Sequence, residues 1–261
     1  MVNKVLLSII TVVRNDAIRL ATTMDSLKKL YGDHRFEHIV IDGNSTDQLT
    51  LDLILNAKKY SNYAYISEAD KGVYDAMNKG VKLATGHFLL FLNCGDRIVA
   101  SPGQMEDWLR GLSEVSGVVI GCFCCNMSLG SQSALLLPQS GVRHKLPTSH
   151  QAMVFSRTFM LANPYDIQYL LAADFDLYLS AKFEQVLIAR VIEPLTNVEV
   201  VGLSSENPIQ TYKEYLQIAY KKLHGRIRWI VLVRISFKAI AVITLKQIFP
   251  RKWVFYLRHI V

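Results

Sequence analysis

The 261-residue sequence is sparing in what small secreted or fibrous chains depend on, with four cysteines, seven prolines and no Gly- or Pro-rich tract. Four cysteines in a chain of this length cannot form a disulfide framework, so a reducing compartment is expected. Hydrophobic residues make up 51% and charged residues 20%. That composition excludes a disordered or collagenous protein and leaves one large α/β domain, or a domain with an appendage. The Walker spacing and G-x-G-x-x-G are missing, which speaks against an ATPase or a dinucleotide enzyme, and no G-x-S-x-G elbow supports a hydrolase triad. Cys122, Cys124 and Cys125 have no histidine nearby and read as buried small hydrophobes rather than a zinc site. A signal peptide is not expected, because Val5 to Val13 contains Ser8 and Thr11 and runs straight into Arg14-Asn15-Asp16.

Acidic residues are missing altogether from Lys221 to Val261, where ten Lys or Arg stand. The first 220 residues carry 19 basic and 22 acidic groups, so a mildly acidic body precedes a basic tail. The tail's cations are interleaved with Ile, Val, Leu, Phe and Trp, which argues against nucleic acid and for an anionic membrane surface. Arg228, Arg234 and Lys238 interrupt the apolar run from Ile227 to Leu245, so the ~18 apolar residues of a spanning helix are not available. Trp229, Leu232, Val233, Ala239, Ile240 and Ile243 share one helical arc, and Arg226, Arg228, Arg234, Lys238 and Lys246 lie outside it. This predicts an amphipathic helix lying in the membrane interface, followed by the basic-aromatic segment Arg251 to Tyr256. The alternative is a helix packed on the body or in a homo-oligomer. The expected division is a body over 1–220, with halves at about 1–100 and 101–220, and a tail over 221–261.

The first hundred residues alternate β-rich runs with helical patterns, the signature of βαβ units on a parallel sheet. Strands are expected over Val5 to Val13, Phe36 to Ile41, Tyr63 to Ser67 and His87 to Leu92. Asp16 can cap a helix presenting Ile18, Ala21, Met24, Leu27 and Leu30, a second helix presents Leu51, Ile54 and Leu55, and a third runs from about Val73 to Ala84. Further along, the pattern predicts a helix around Met105 to Leu112, an apolar stretch from Val118 to Met127 and a strand over Ala152 to Phe155. A helix near Leu170 to Lys182 and a strand over Val186 to Ile192 follow.

Parallel strands put their carboxyl ends on one edge, where ligands of open α/β sheets bind. The loops there read Arg14-Asn15-Asp16, Asp42 to Asp47, Glu68 to Gly72, and Asn93-Cys94-Gly95-Asp96. Each alone is ordinary turn chemistry; together they converge acids on one rim. Asp96, with Asn93 three residues earlier, can hold a hard divalent cation and leave positions for phosphate oxygens, or close an Asx-type turn. Asp42 can accept from a nucleobase or ribose, or serve the turn before Gly43. Asp70, Lys71 and Gly72 open a helix whose N-terminus favours anions, and Asn78 on that helix reaches the site or solvates it. Asp174, in apolar company, suits a general base whose pKa burial raises, or a helix N-terminal acid. His150 reads as structural unless Gln151 faces the cleft.

The stretches LLSIITVVRND (6–16), FEHIVIDGNSTD (36–47), SEADKGVYDAMNKGVKLATGHFLLFLNCGD (67–96) and HQAMVFSR (150–157) resemble the family 2 glycosyltransferases of the GT-A fold, among them bacterial enzymes of exopolysaccharide and O-antigen assembly. The resemblance implies a mostly parallel central sheet flanked by helices. It also implies an inverting transfer of sugar from a nucleoside-diphosphate sugar, UDP-linked, to a polyprenyl-diphosphate-linked saccharide at the cytoplasmic leaflet. By it Thr11, Asp42 and Asp70 contact the nucleotide, with Lys71 and Asn78 beside them, and Asp96 with Asn93 binds Mg²⁺ or Mn²⁺. Asp174 is the base, and His150 and Gln151 lie near the diphosphate and acceptor. Asn93 stands where the family has an acid, and Ala173 where it has Glu. These departures keep open a nucleotide-sugar-binding or scaffold protein without turnover. A nucleotidyltransferase would carry a Gly-rich basic loop after the first strand, which Arg14-Asn15-Asp16 is not.

Overall fold

The apolar run at the N-terminus has no polar alternation because both faces of its strand are covered. In the computed structural model, which describes residues 5–130, 132–189, 191–200 and 203–248, this is β1 (Leu7–Val13). It is followed by α1 (Ala17–Ser26), β2 (Phe36–Asp42), α2 (Gln48–Asn56), β3 (Tyr63–Ser67), α3 (Val73–Leu83) and β4 (Phe88–Phe91). The later elements are β5 (Arg97–Ile98), α4 (Pro102–Glu114), β6 (Ile120–Cys122), β7 (Cys125–Leu129), β8 (Gln132–Leu136), β9 (Met153–Ser156), α5 (Arg157–Ala162) and α6 (Ala173–Ser180). Then come β10 (Val186–Ile188), β11 (Thr196–Glu199), α7 (Leu203–Glu206), α8 (Pro208–Lys222) and α9 (Gly225–Ile248).

Seven strands form the central sheet in the order β10-β6-β9-β4-β1-β2-β3. β9 runs antiparallel to β4 and β6, and the other pairings are parallel. This is the expected mostly parallel sheet flanked by helices. Successive strand residues point to opposite faces: Ile10, Leu89 and Phe91 pack under α3, while Leu7, Ile9, Phe88 and Leu90 pack with Met105 and Leu109 of α4. Helix α3 approaches the sheet tightly at Gly80, where a Cβ would stand 2.5 Å from Ile10 Cγ2.

Several expectations need correction. Of the expected face of α1, Met24, Leu27 and Leu30 are buried, but Ile18 is exposed and Leu20 and Thr23 are buried in addition. The stretch from Val118 to Met127 is two strands in two sheets, because the chain leaves the central sheet after Cys122 and enters a four-stranded sheet, β5-β11-β7-β8, at Cys125. The three thiols there are fully buried. α6 begins at Ala173 rather than Leu170, because the Leu170 and Leu171 N–H groups donate to the Glu214 carboxylate of α8. The strand expected to reach Ile192 ends at Ile188.

The boundary at 220/221 falls inside α8, whose Lys222 pairs with Asp176 of α6 at 2.8 Å. The break before the next helix lies at Leu223–His224. α9 is not divided into one apolar and one basic face. Val231, Ile235 and Val242 are buried with Leu232 and Ala239 packed beside them, whereas Ile227, Trp229, Ile230, Val233, Phe237 and Ile240 are exposed. The expected arc is thus split between the body and the outside. Among the described residues no helix is long and apolar enough to cross a membrane. The segment Arg251 to Tyr256 lies outside the described residues.

Candidate active site

The loops after β1 and β2 are laced together by Asn15. Its side-chain oxygen accepts from Thr46 N–H at 2.7 Å and Asp47 N–H at 3.2 Å, and its own N–H donates to Ser45 Oγ at 2.7 Å. Asn15 and Asn44 both have positive φ, a conformation that non-glycine residues adopt sparingly and that concentrates at functional sites. Asp42 ends β2 beneath these loops. It is fully buried and accepts from Ser45 N–H, Ser45 Oγ and Ser67 Oγ, so it organises the loop, and contact with a nucleobase needs one of these serines to give way.

Asp70 is the acid that faces the rim. A Cβ on Gly43 would stand 2.8 Å from Asp70 Oδ2 and 3.5 Å from Arg14, so backbone, acid and cation meet there. Burial raises the Asp70 pKa while Arg14 and Lys79 act against the rise. Lys71 is exposed, and its N–H donates to Asp75 at 2.9 Å.

Thr11 does not reach this rim. Its side chain is fully buried, 3.1 Å from His38 Nε2 inside the sheet. Asn78 is also turned inward, clamping Tyr165 through its backbone N–H and C=O, each at 2.9 Å. In this structure Thr11 is engaged by His38 of the neighbouring strand, and the Asn78 amide by the Tyr165 segment.

At the end of β4 the chain turns through Gly95 at φ +94, where a Cβ would meet Arg19 Nε at 2.7 Å. The turn delivers Asp96 to a nearly closed position. Its Oδ1 accepts from Glu199 N–H at 3.0 Å, and the Gln151 side chain hydrogen-bonds the same carboxyl. Burial pushes its pKa up to about 7. Asn93 Oδ1 is buried with no partner among the described residues, in the turn where Asp96 N–H donates to the Asn93 carbonyl at 3.1 Å. These are oxygen donors, which fit a hard divalent cation that keeps waters and takes up phosphate oxygens. Arg19 lies within 3.6 Å of Glu199, so a cation and a second acid border the same turn; the motif reading missed both because they come from α1 and β11.

His150 and Gln151 part company. Gln151 turns toward Asp96, its Oε1 accepting from Ser149 Oγ at 2.5 Å. His150 turns into the core, stacked on Phe91 at 5.3 Å and 2.7 Å from Tyr165 OH. Burial lowers its pKa to about 4, so the ring is neutral at physiological pH and supplies no charge to a diphosphate. Beyond Tyr165 the ring network continues to Tyr74 at 5.2 Å, and Tyr74 OH donates to Asp174 Oδ1 at 3.2 Å. Asp174 also accepts from Phe175 N–H at 2.8 Å, and burial raises its pKa to about 6. A packed series of rings, Phe91, His150, Tyr165 and Tyr74, thus leads to Asp174, and the backbone between His150 and Gln151 connects it to the side chain that bonds Asp96.

The profile of glycosyl transferase family 2 matches residues 8–127. A PGL/p-HBAD biosynthesis glycosyltransferase of Mycobacterium tuberculosis is 32% identical over 192 residues, covering 70% of this chain and 72% of that protein. The amylovoran biosynthesis glycosyltransferase of Erwinia amylovora is 26% identical over 215 residues, covering 74% and 69%. Among solved structures, Staphylococcus aureus TarS 1-349 in complex with UDP superposes with TM-score 0.62 at 16% identity, over 88% of this chain and 70% of that one. The mannosyltransferase of Pyrobaculum calidifontis in complex with GDP-Man and Mn²⁺ gives 0.62 at 12% identity, over 97% and 78%. The seven-stranded sheet with its reversed β9, the acid turn at its carboxyl edge and the relatives in sequence agree: the chain belongs to the family 2 glycosyltransferases and has the GT-A fold.

Proposed function

We propose that the protein moves a sugar from a nucleoside-diphosphate sugar, UDP-linked, to a hydroxyl of a lipid-linked saccharide, with inversion, in surface polysaccharide or glycolipid assembly. Asp174 carries this reading. It is a half-buried carboxyl raised to about 6, held by Tyr74 OH and Phe175 N–H, with the Tyr74 ring packed on Tyr165. An acid of that pKa is ionised at neutral pH yet basic enough to take a proton from an attacking hydroxyl. One base and a single in-line displacement give inversion. Asp70, Arg14 and the loop organised by Asp42 and Asn15 receive the nucleoside. Asp96 and Asn93 would hold Mg²⁺ or Mn²⁺, and such an ion supplies charge neutralisation for the departing nucleoside diphosphate. The relatives' names, PGL/p-HBAD and amylovoran biosynthesis, support the pathway class, and the UDP, UDP-GlcNAc and GDP-Man held by structural neighbours support the donor class.

The test is release of nucleoside diphosphate by the full chain with Mn²⁺ across UDP, GDP and TDP sugars, suppressed by EDTA. Pyrophosphate as product would overturn the reading in favour of a nucleotidyltransferase. Donor binding without release would favour a binding protein of the same fold.

We also propose that α9 attaches the catalytic body to the cytoplasmic leaflet. Ile227, Ile230, Val233, Phe237 and Ile240 recur at helical spacing on its exposed side, and Arg226 and Arg234 are exposed beside them. Arg234 and Lys238 lie within electrostatic reach of His144, adding to the basic surface. The full chain is expected to co-float with phosphatidylglycerol vesicles and to be partly released by salt. The double substitution Ile230→Glu, Phe237→Glu should leave it at the bottom of the gradient, and equal flotation of the two proteins would refute attachment through this face.

A further inference from the structure

A cavity lies outside the site described above, between the Gln168–Tyr169 segment and α8. Its volume is about 330 Å³, within the ~300–1,000 Å³ of small-molecule sites. Its wall carries the amides of Gln168, Gln210 and Gln217, the phenol rings of Tyr169 and Tyr220, the ammonium of Lys221 and the carboxylate of Glu214, with no aliphatic residue among them. That chemistry matches a ring bearing many hydroxyls. A phosphate would face the Glu214 carboxylate, and an apolar ligand would strand the amides.

Glu214 marks the cavity as a built site. It is 2% exposed although charged, and accepts from Leu170 N–H at 3.2 Å, Leu171 N–H at 2.9 Å and Gln210 Nε2 at 2.9 Å. Leu171 stands three residues before Asp174, and the Glu214 charge bears on the Asp174 carboxyl. One carboxylate therefore lines the cavity and also pins the backbone that delivers Asp174. We infer that this cavity is a saccharide subsite for the acceptor, holding a sugar ring adjacent to the one whose hydroxyl reacts; the inference rests on Asp174 acting as the base. A ring bound there is registered against the same carboxylate that sets the start of α6, so the acceptor chain is aligned with Asp174.

The experiment is saturation-transfer NMR on the full chain with methyl glycosides of glucose, galactose, mannose and N-acetylglucosamine as probes. At least one glycoside should show saturation transfer with the wild-type protein. The signal should be lost in Gln217→Trp, which fills the cavity from the exposed side of α8, and weakened in Gln168→Ala, while UDP still raises the melting temperature of each protein. Undiminished transfer in Gln217→Trp, or no transfer from any of the four glycosides to the wild-type protein, would overturn the inference. Failure of the proposed function shows separately, as wild-type protein that releases no nucleoside diphosphate from any donor.

Discussion

Replacing Asp174 by Asn should abolish sugar transfer and at the same time stabilise the protein at pH 8. Burial lifts this carboxyl from 3.8 to about 6. Below about pH 4 the group is protonated both folded and unfolded and contributes no penalty. Between the two values the folded state holds a proton that the unfolded state has lost, so stability falls as pH rises, and above about pH 6 the whole penalty is present. Roughly two units at ~1.36 kcal/mol each make a cost of ~3 kcal/mol. The amide keeps an oxygen for Phe175 N–H and Tyr74 OH but accepts more weakly than a carboxylate, which returns ~1–2 kcal/mol and leaves a net gain of ~1–2 kcal/mol. At ~2–4 °C per kcal/mol for a chain of this size, the melting temperature should rise by on the order of 4 °C at pH 8 and stay level with wild type near pH 4. Differential scanning calorimetry at the two pH values reads the difference directly. A variant no more stable than wild type at pH 8, or one shifted equally at both pH values, would refute the argument that burial raises this carboxyl. Nucleotide binding by the variant should persist, because the base acts on the acceptor.

Three further substitutions probe the rim and the sheet. Asp96→Ala leaves the Glu199 N–H without its acceptor, a cost of ~1 kcal/mol, but also removes a carboxyl held against its own burial. It should keep its circular dichroism while losing Mn²⁺-dependent release of nucleoside diphosphate. Gly43→Ala drives a methyl group against Asp70 Oδ2 and should weaken UDP binding, measured calorimetrically, with little change in melting temperature. Gly80→Ala places a methyl group against Ile10 where α3 crosses β1, and should lower stability by ~1–3 kcal/mol in urea without altering the affinity for UDP of the folded protein.

Periodicity and turn chemistry were enough to place β1 to β4 and α1 to α3, and with them the rim on which Asp42, Asp70 and Asp96 stand. Those signals are local: a strand covered on both faces is continuously apolar, and a strand end must carry residues that can turn. Which way a side chain points at that rim was settled by tertiary packing. Thr11 and Asp42 end in hydrogen bonds to residues of neighbouring strands, and His150 and Gln151, adjacent in sequence, divide between the core and Asp96. The partners that build the site come from far along the chain: Glu199 and Arg19 beside Asp96, Tyr74 under Asp174, and Glu214 of α8 holding the segment before it. The apolar pattern of the tail likewise showed a helix with too much hydrophobic surface for one face, and only its packing on α8 divides that surface into a buried and an exposed half. A sequence window senses spacing along one element, whereas these contacts depend on where other elements lie in space.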